Sequence, residues 1–170
     1  MTDQSKGPVA HPFDSTQGWS AVFDAMPDLV MLIDGEHRIL RANRALAERL
    51  GQPQEAFVGM SCHEAVHGLG MPPSFCPHTR LLEDGEQHSE EIHEPRLGGD
   101  FLITASPVRD AEGRLCGAVH VIRDVSERKR AEQALRESEE TLRATLNGLA
   151  SNIALLDGTG KILLVNRAWR

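Results

Sequence analysis

Within seventeen positions the sequence places two thiols and three imidazoles: Cys62, His63, His67, Cys76 and His78. Thiolate sulfur and imidazole nitrogen are the donors that soft and borderline metals prefer, so zinc, iron or haem is the cofactor these residues point to. Cys62, His67 and Cys76 form the first candidate ligand set, with His63 and His78 as further donors. Cys62 and Cys76 fall at the starts of expected helices, where the backbone dipole favours a thiolate. Other readings of the same residues stay open: packed or solvated side chains that bind nothing, redox thiols, and a Cys–His catalytic pair. The paired CxxC of a zinc finger is missing. No oxyanion donor or orienting third group marks a nucleophile, which puts catalysis last. Cys116 and His120 stand four apart on an expected strand and so share one face.

These residues need a scaffold, and the chain supplies its punctuation. Ser61-Cys62-His63-Glu64 has the form of a capping box, opening a helix from Cys62 to about His67 that ends at Gly68. Pro77, directly after Cys76, suits the first position of a second helix that runs to Asp84 and stops at Gly85. Upstream, a short helical stretch around Trp19, Val22, Phe23 and Met26 stops at Pro27. The apolar run Leu29–Ile33 reads as a buried strand, closed by the hairpin signal Asp34-Gly35. His37–Ala42 returns as a strand, and Asn43 caps a helix over Arg44–Leu50. Downstream, His88–Arg96, Phe101–Val108 and Leu115–Arg123 read as three more strands. The acidic run Glu86–Glu94 reads as a solvated strand edge. The order implies an α+β fold, a five-stranded antiparallel sheet with short helices inserted on one face. Leu32, Ile33, Ile39, Leu46, Phe101, Ile103, Val119 and Val121 are its expected core.

Composition narrows the function. The 170 residues carry 25 acidic and 18 basic side chains, a net charge of −7, which argues against general nucleic-acid binding. There is no apolar run long enough for a membrane span and no signal-peptide pattern, so the expected location is cytoplasmic. Residues 1–17 read as a flexible leader.

From residue 125 the character changes. Opposite charges at i,i+4, such as Arg128/Glu132 and Arg136/Glu140, support an exposed helix over 125–149. Leu135, Leu142 and Leu149 fall seven apart, the seam of a short parallel coiled coil, so a homodimer is expected. Leu146–Ala168 then aligns without gaps on Phe23–Ala45 at an offset of 123, with eight identities in 23 positions, Asp157-Gly158 on Asp34-Gly35 and Asn166 on Asn43 among them. This reads as an internal repeat, residues 150–170 being the truncated opening of a second unit.

Val30-Met31-Leu32-Ile33-Asp34-Gly35 with Ile39 to Ala45 resembles the opening of a PAS domain. Gly113 to Val119, with Ile122-Arg123-Asp124-Val125-Ser126-Glu127-Arg128-Lys129, resembles the last PAS strand and its exit motif. The Cys62…His67-Gly68…Cys76-Pro77 segment is similar to a subset of bacterial sensory PAS domains. Pro73 stands where many of that subset carry a further cysteine. The resemblance implies a PAS domain over 18–124, an exit helix over 125–149, and the start of a second PAS domain. It implies a sensory or dimerising module of a bacterial signalling protein, most often a histidine kinase, sometimes a diguanylate cyclase or a transcriptional regulator. Such a module would bind a small ligand or cofactor and relay the change through the exit helix, with Asp124 and Ser126 at the relay junction. A metal or haem redox sensor and a passive dimerising spacer are the alternatives. These residues are expected to include no output domain and not to be an enzyme.

Overall fold

The computed structural model describes residues 16–169, and most of the expected leader lies outside them. Helix α1 (Thr16–Ala25) leads into β1 (Leu29–Ile33), where five consecutive apolar residues suit a strand covered on both sides. Asp34 then builds the corner. Its Oδ1 accepts from the amides of Glu36 and Arg38, both at 2.9 Å, and the chain turns back into β2 (Ile39–Ala42). Asn43 caps α2 (Arg44–Leu50), and Gly51 ends it in the left-handed conformation that glycine adopts most readily. A 3-10 turn (Gln54–Phe57), α3 (Cys62–His67) and α4 (Pro77–Asp84) follow. Three long strands complete the domain: β3 (His88–Glu94), β4 (Gly99–Arg109) and β5 (Leu115–Asp124).

All neighbours in the sheet are antiparallel, in the order β2-β1-β5-β4-β3. The class is therefore α+β, as expected. Met31, Ile33, Phe101, Ile103 and Ile122 meet Leu46, Phe57 and Val66 of the helical segments in one buried cluster. Three expected core residues lie elsewhere. Leu32, Val119 and Val121 are only half-buried, because strand alternation turns them away from this cluster. Leu32 and Val119 face each other directly across the β1–β5 pairing. Beside the end of that pairing stands Gly117, where an added Cβ would lie 2.4 Å from the Ile33 carbonyl oxygen.

The capping box at Ser61 does not form. Ser61 makes no side-chain cap bond; instead the Cys62 amide donates to the His37 carbonyl at 2.8 Å. Together with the bond from the Ile39 amide to the Met60 carbonyl at 2.9 Å, this lays the entry to α3 along the β1–β2 corner.

Residues from Ser126 onward form a second compact unit. In it, α5 (Ser126–Gly148) carries the ion pairs Arg128–Glu132 and Arg136–Glu140 at 2.9 and 3.0 Å, and leaves Leu135 and Leu142 exposed; Leu149, just past its end, is exposed too. A hairpin of β6 (Ala154–Leu156) and β7 (Ile162–Val165) follows. Its corner repeats the first one bond for bond. Asp157 Oδ1 accepts from the amides of Thr159 and Lys161, as Asp34 does from Glu36 and Arg38. Among the described residues no helix is long and apolar enough to cross a membrane.

Candidate functional site

The first hairpin corner carries an anomaly. His37 has φ +62°, the one positive φ outside glycine among the described residues. At the matching position of the second hairpin stands Gly160, with φ +86°. A side chain in this left-handed region costs about 1–2 kcal/mol, and glycine avoids that cost. At the first corner the imidazole points inward to a cluster drawn from four elements.

His37 Nδ1 lies 3.2 Å from His78 Nδ1 and 3.9 Å from Cys62 Sγ. Each partner is placed by local sequence. Cys62 opens α3, fixed by the hydrogen bond its backbone amide donates to the His37 carbonyl, and His78 follows Pro77 in the first turn of α4. The His37 and His78 rings meet edge-on with centroids 4.5 Å apart. Behind them His120 comes from the inner face of β5, its ring 5.1 Å from that of His78, and His63 lies 5.8 Å from His37. His78 is wholly buried and His120 almost so. Nε2 of both, and Nδ1 of His63, are buried with no hydrogen-bond partner among the described residues. Such orphaned donors or acceptors are costly and rare in folded proteins.

Burial sets the charge of the cluster. It takes His78 down to about 4, helped by His37, and His120 down to about 3, helped by His78 and His37. His37 and His63 are lowered for the same reason. All four imidazoles therefore favour the neutral form, the one with a free lone pair. In the metal-free protein the helix start does not make Cys62 a thiolate. Desolvation, with Cys76 adding in the same direction, pushes its thiol up to about 12, outweighing the helix start.

Of the candidate ligands read from the sequence, Cys62 and His78 join the cluster. Cys76 is buried beside it and, with Cys62, His63, His67 and His120, lines a cavity of about 20 Å³. His67 is engaged elsewhere: its Nδ1 binds the buried carboxylate of Glu94 at 2.5 Å. Glu94 is accordingly no part of a solvated edge, and the remaining carboxylate oxygen accepts from the Arg96 amide. His37 and His120 complete the cluster from outside the local motif. The signal for His37 was present in the repeat, where glycine faces histidine at a turn position. Cys116 is exposed, its thiol donating to the Val108 carbonyl, and does not join His120.

The size of the cavity decides what it can take. About 20 Å³ holds a water or a metal ion. Organic ligand sites run to roughly 300–1,000 Å³. At the far end of the same sheet, Asp124 pairs with Arg49 at 3.1 Å. Arg49 also donates from Nε to the Leu97 carbonyl at 2.7 Å and lies over the Phe101 ring. Ser126 begins α5 one residue after Val125.

A family model described as PAS fold matches residues 23–130. Among curated proteins, an uncharacterized 104.1 kDa protein in the hypE 3' region of Rhodobacter capsulatus is 27% identical over 154 residues, 88% of this chain. The chain spans 15% of that relative's length. An RNA-binding light-oxygen-voltage receptor superposes with a TM-score of 0.62 at 19% identity, covering 81% of this chain and 41% of its own. The PAS domain of Bordetella pertussis BvgS gives 0.50 at 20% identity, over 73% of this chain and 96% of that one. The photoactive yellow protein domain of the sensor histidine kinase Ppr from Rhodospirillum centenum gives 0.50 at 20%, over 62% and 92%. At these identities the likeness is one of fold.

Proposed function

The chain belongs to the PAS family, and from that premise we propose that residues 18–124 are the sensory core of a multidomain bacterial signalling protein. A histidine kinase is the favoured parent, since one of the similar structures is a domain of a sensor histidine kinase. The proposed module works in the cytoplasm as a homodimer, has no catalytic activity of its own, and reads its signal at the His37/Cys62/His78/His120 cluster.

One observation carries this reading: His120 of the cluster sits on β5, and β5 runs unbroken to Asp124, two residues before the start of α5. An occupant that shifts His120 acts on the strand that leads out of the domain. Arg49 bridges the β3–β4 turn and Asp124, and so links the core to the relay junction formed by Asp124 and Ser126.

Hydrogen exchange on the whole chain tests the relay. His120→Leu alters the core, and Arg49→Ala removes the bridge to Asp124. Each is expected to change amide exchange across residues 124–135 while the domain stays folded. Unchanged exchange in that stretch for both folded variants would make the domain a passive spacer.

A further inference from the structure

We propose that His37 Nδ1, Cys62 Sγ and His78 Nδ1 are three ligands of a single borderline transition-metal cation of the zinc class, with a fourth position open toward the small cavity. This deepens the reading of the cluster as the sensory site, and rests on it for the role of the metal.

The spacing already fits. The three ligand atoms lie within 4.8 Å of one another. Tetrahedral zinc, with nitrogen and sulfur at ordinary bond lengths, sets neighbouring nitrogens about 3.3 Å apart and a sulfur about 3.6 Å from a nitrogen. The observed separations are 3.2 Å for His37–His78 and 3.9 Å for Cys62–His37. The ring-to-ring approach through two Nδ1 atoms brings lone pairs together, and only one proton or one cation can sit between them. Two nitrogens and one sulfur form a mixed donor set that suits zinc or cobalt and disfavours the hard oxygen-seeking cations, and on binding the Cys62 thiol releases its proton to solvent as the metal–sulfur bond forms.

A second, independent observation points the same way. The structure has an internal control for the corner at residue 37, since the second hairpin makes the same backbone bonds with Gly160 at that position. The fold therefore does not need a histidine there. What His37 adds is a ring in the cluster, held by a backbone conformation that glycine would take more easily.

The fourth position rests on the one ligand that borders the cavity. Of the three ligands, Cys62 is the one that lines the cavity of about 20 Å³, which also has Cys76 and the unpartnered Nε2 of His120 on its wall. A metal with three protein ligands and an open side can take up a water or a small anion there, the arrangement of reactive rather than purely structural zinc.

The test uses the full chain, stripped with a chelator and titrated with zinc alone, with cobalt as the spectroscopic probe. One equivalent is expected to bind. Cobalt should give tetrahedral d–d bands and a thiolate-to-metal charge-transfer band. His37→Gly is the decisive variant, because its backbone suits the corner. Without metal it should melt within a few degrees of the parent chain, yet bind zinc at least 100-fold more weakly. Cys62→Ser should lose the charge-transfer band, and Cys116→Ser should keep it. Absence of stoichiometric binding by the parent chain, or equal binding by folded His37→Gly, overturns the site. If that happens while His120→Leu still alters exchange in residues 124–135, the sensory reading survives without the metal. If zinc binds at one equivalent but neither zinc nor the core variants move that exchange, the site stands and the sensory reading falls.

Discussion

Asn43 and Asn166, 123 positions apart, grip the same set of backbone groups in two hairpins. Asn43 Oδ1 accepts from the Val30 amide, and its Nδ2 donates to the carbonyls of Phe23, Met26 and Asp28. Asn166 Oδ1 accepts from Ile153, and its Nδ2 donates to Leu146, Leu149 and Ser151. Every partner is displaced by the same offset. Asn43 also caps α2 through the Leu46 amide, and it is wholly buried. Asn43→Ala should therefore cost about 2–4 kcal/mol in urea unfolding, by leaving several buried groups unpaired. Asn43→Asp keeps the acceptor but turns a carboxylate toward three carbonyls. It should be more damaging at neutral pH than at pH 4, where the protonated acid can donate.

The thiols should separate by burial. Cys116 is exposed, whereas Cys62 and Cys76 are buried. In native, chelator-treated protein one thiol per chain should react quickly with a disulfide reagent, and Cys116→Ser should remove that phase. The other two should react only as fast as the domain opens. Two rapid thiols in the native chain would contradict the burial of the cluster.

Metal-free protein should lose stability on the acid side. His78 and His120 have folded-state values of about 4 and about 3, below the ordinary 6.5, because burial disfavours the charged ring. Their contribution is complete above about pH 6.5 and declines as pH falls toward 4, since the unfolded chain takes up protons that the folded one refuses. The slope approaches about 1.4 kcal/mol per pH unit for each histidine. His120→Leu should flatten that limb in denaturation curves collected between pH 7 and pH 4.

Assembly should depend on α5. Leu135, Leu142 and Leu149 are exposed at heptad spacing. Leu135→Glu with Leu142→Glu would place charge in a paired seam, and sedimentation should show the dimer giving way to monomer. A monomer both before and after the change would remove α5 as the dimer contact.

The sheet was legible because turn residues mark its corners. Asp34-Gly35 signalled the first hairpin, and Gly51, Gly68 and Gly85 ended the helices where expected, each with positive φ. The inward face of β1 was not legible. All of Leu29–Ile33 is apolar, so alternation alone cannot tell Leu32 from Met31. The site was legible only where it is local. Cys62 and His78 lie inside one motif, but His37 arrives from 25 residues upstream of Cys62, and His120 from 42 residues beyond His78. His67 followed the motif's spacing yet found Glu94, a partner that becomes adjacent only when β3 folds against α3.

The tight fit at Gly117 bears on how a signal could travel. No side chain can be inserted between β5 and the Ile33 carbonyl, so these two strands have no slack at the point where the His37 corner begins. Under the proposed relay, a displacement of that corner would be passed to β5 across this contact, the corner and the outgoing strand moving as one lever about a position that only glycine fits.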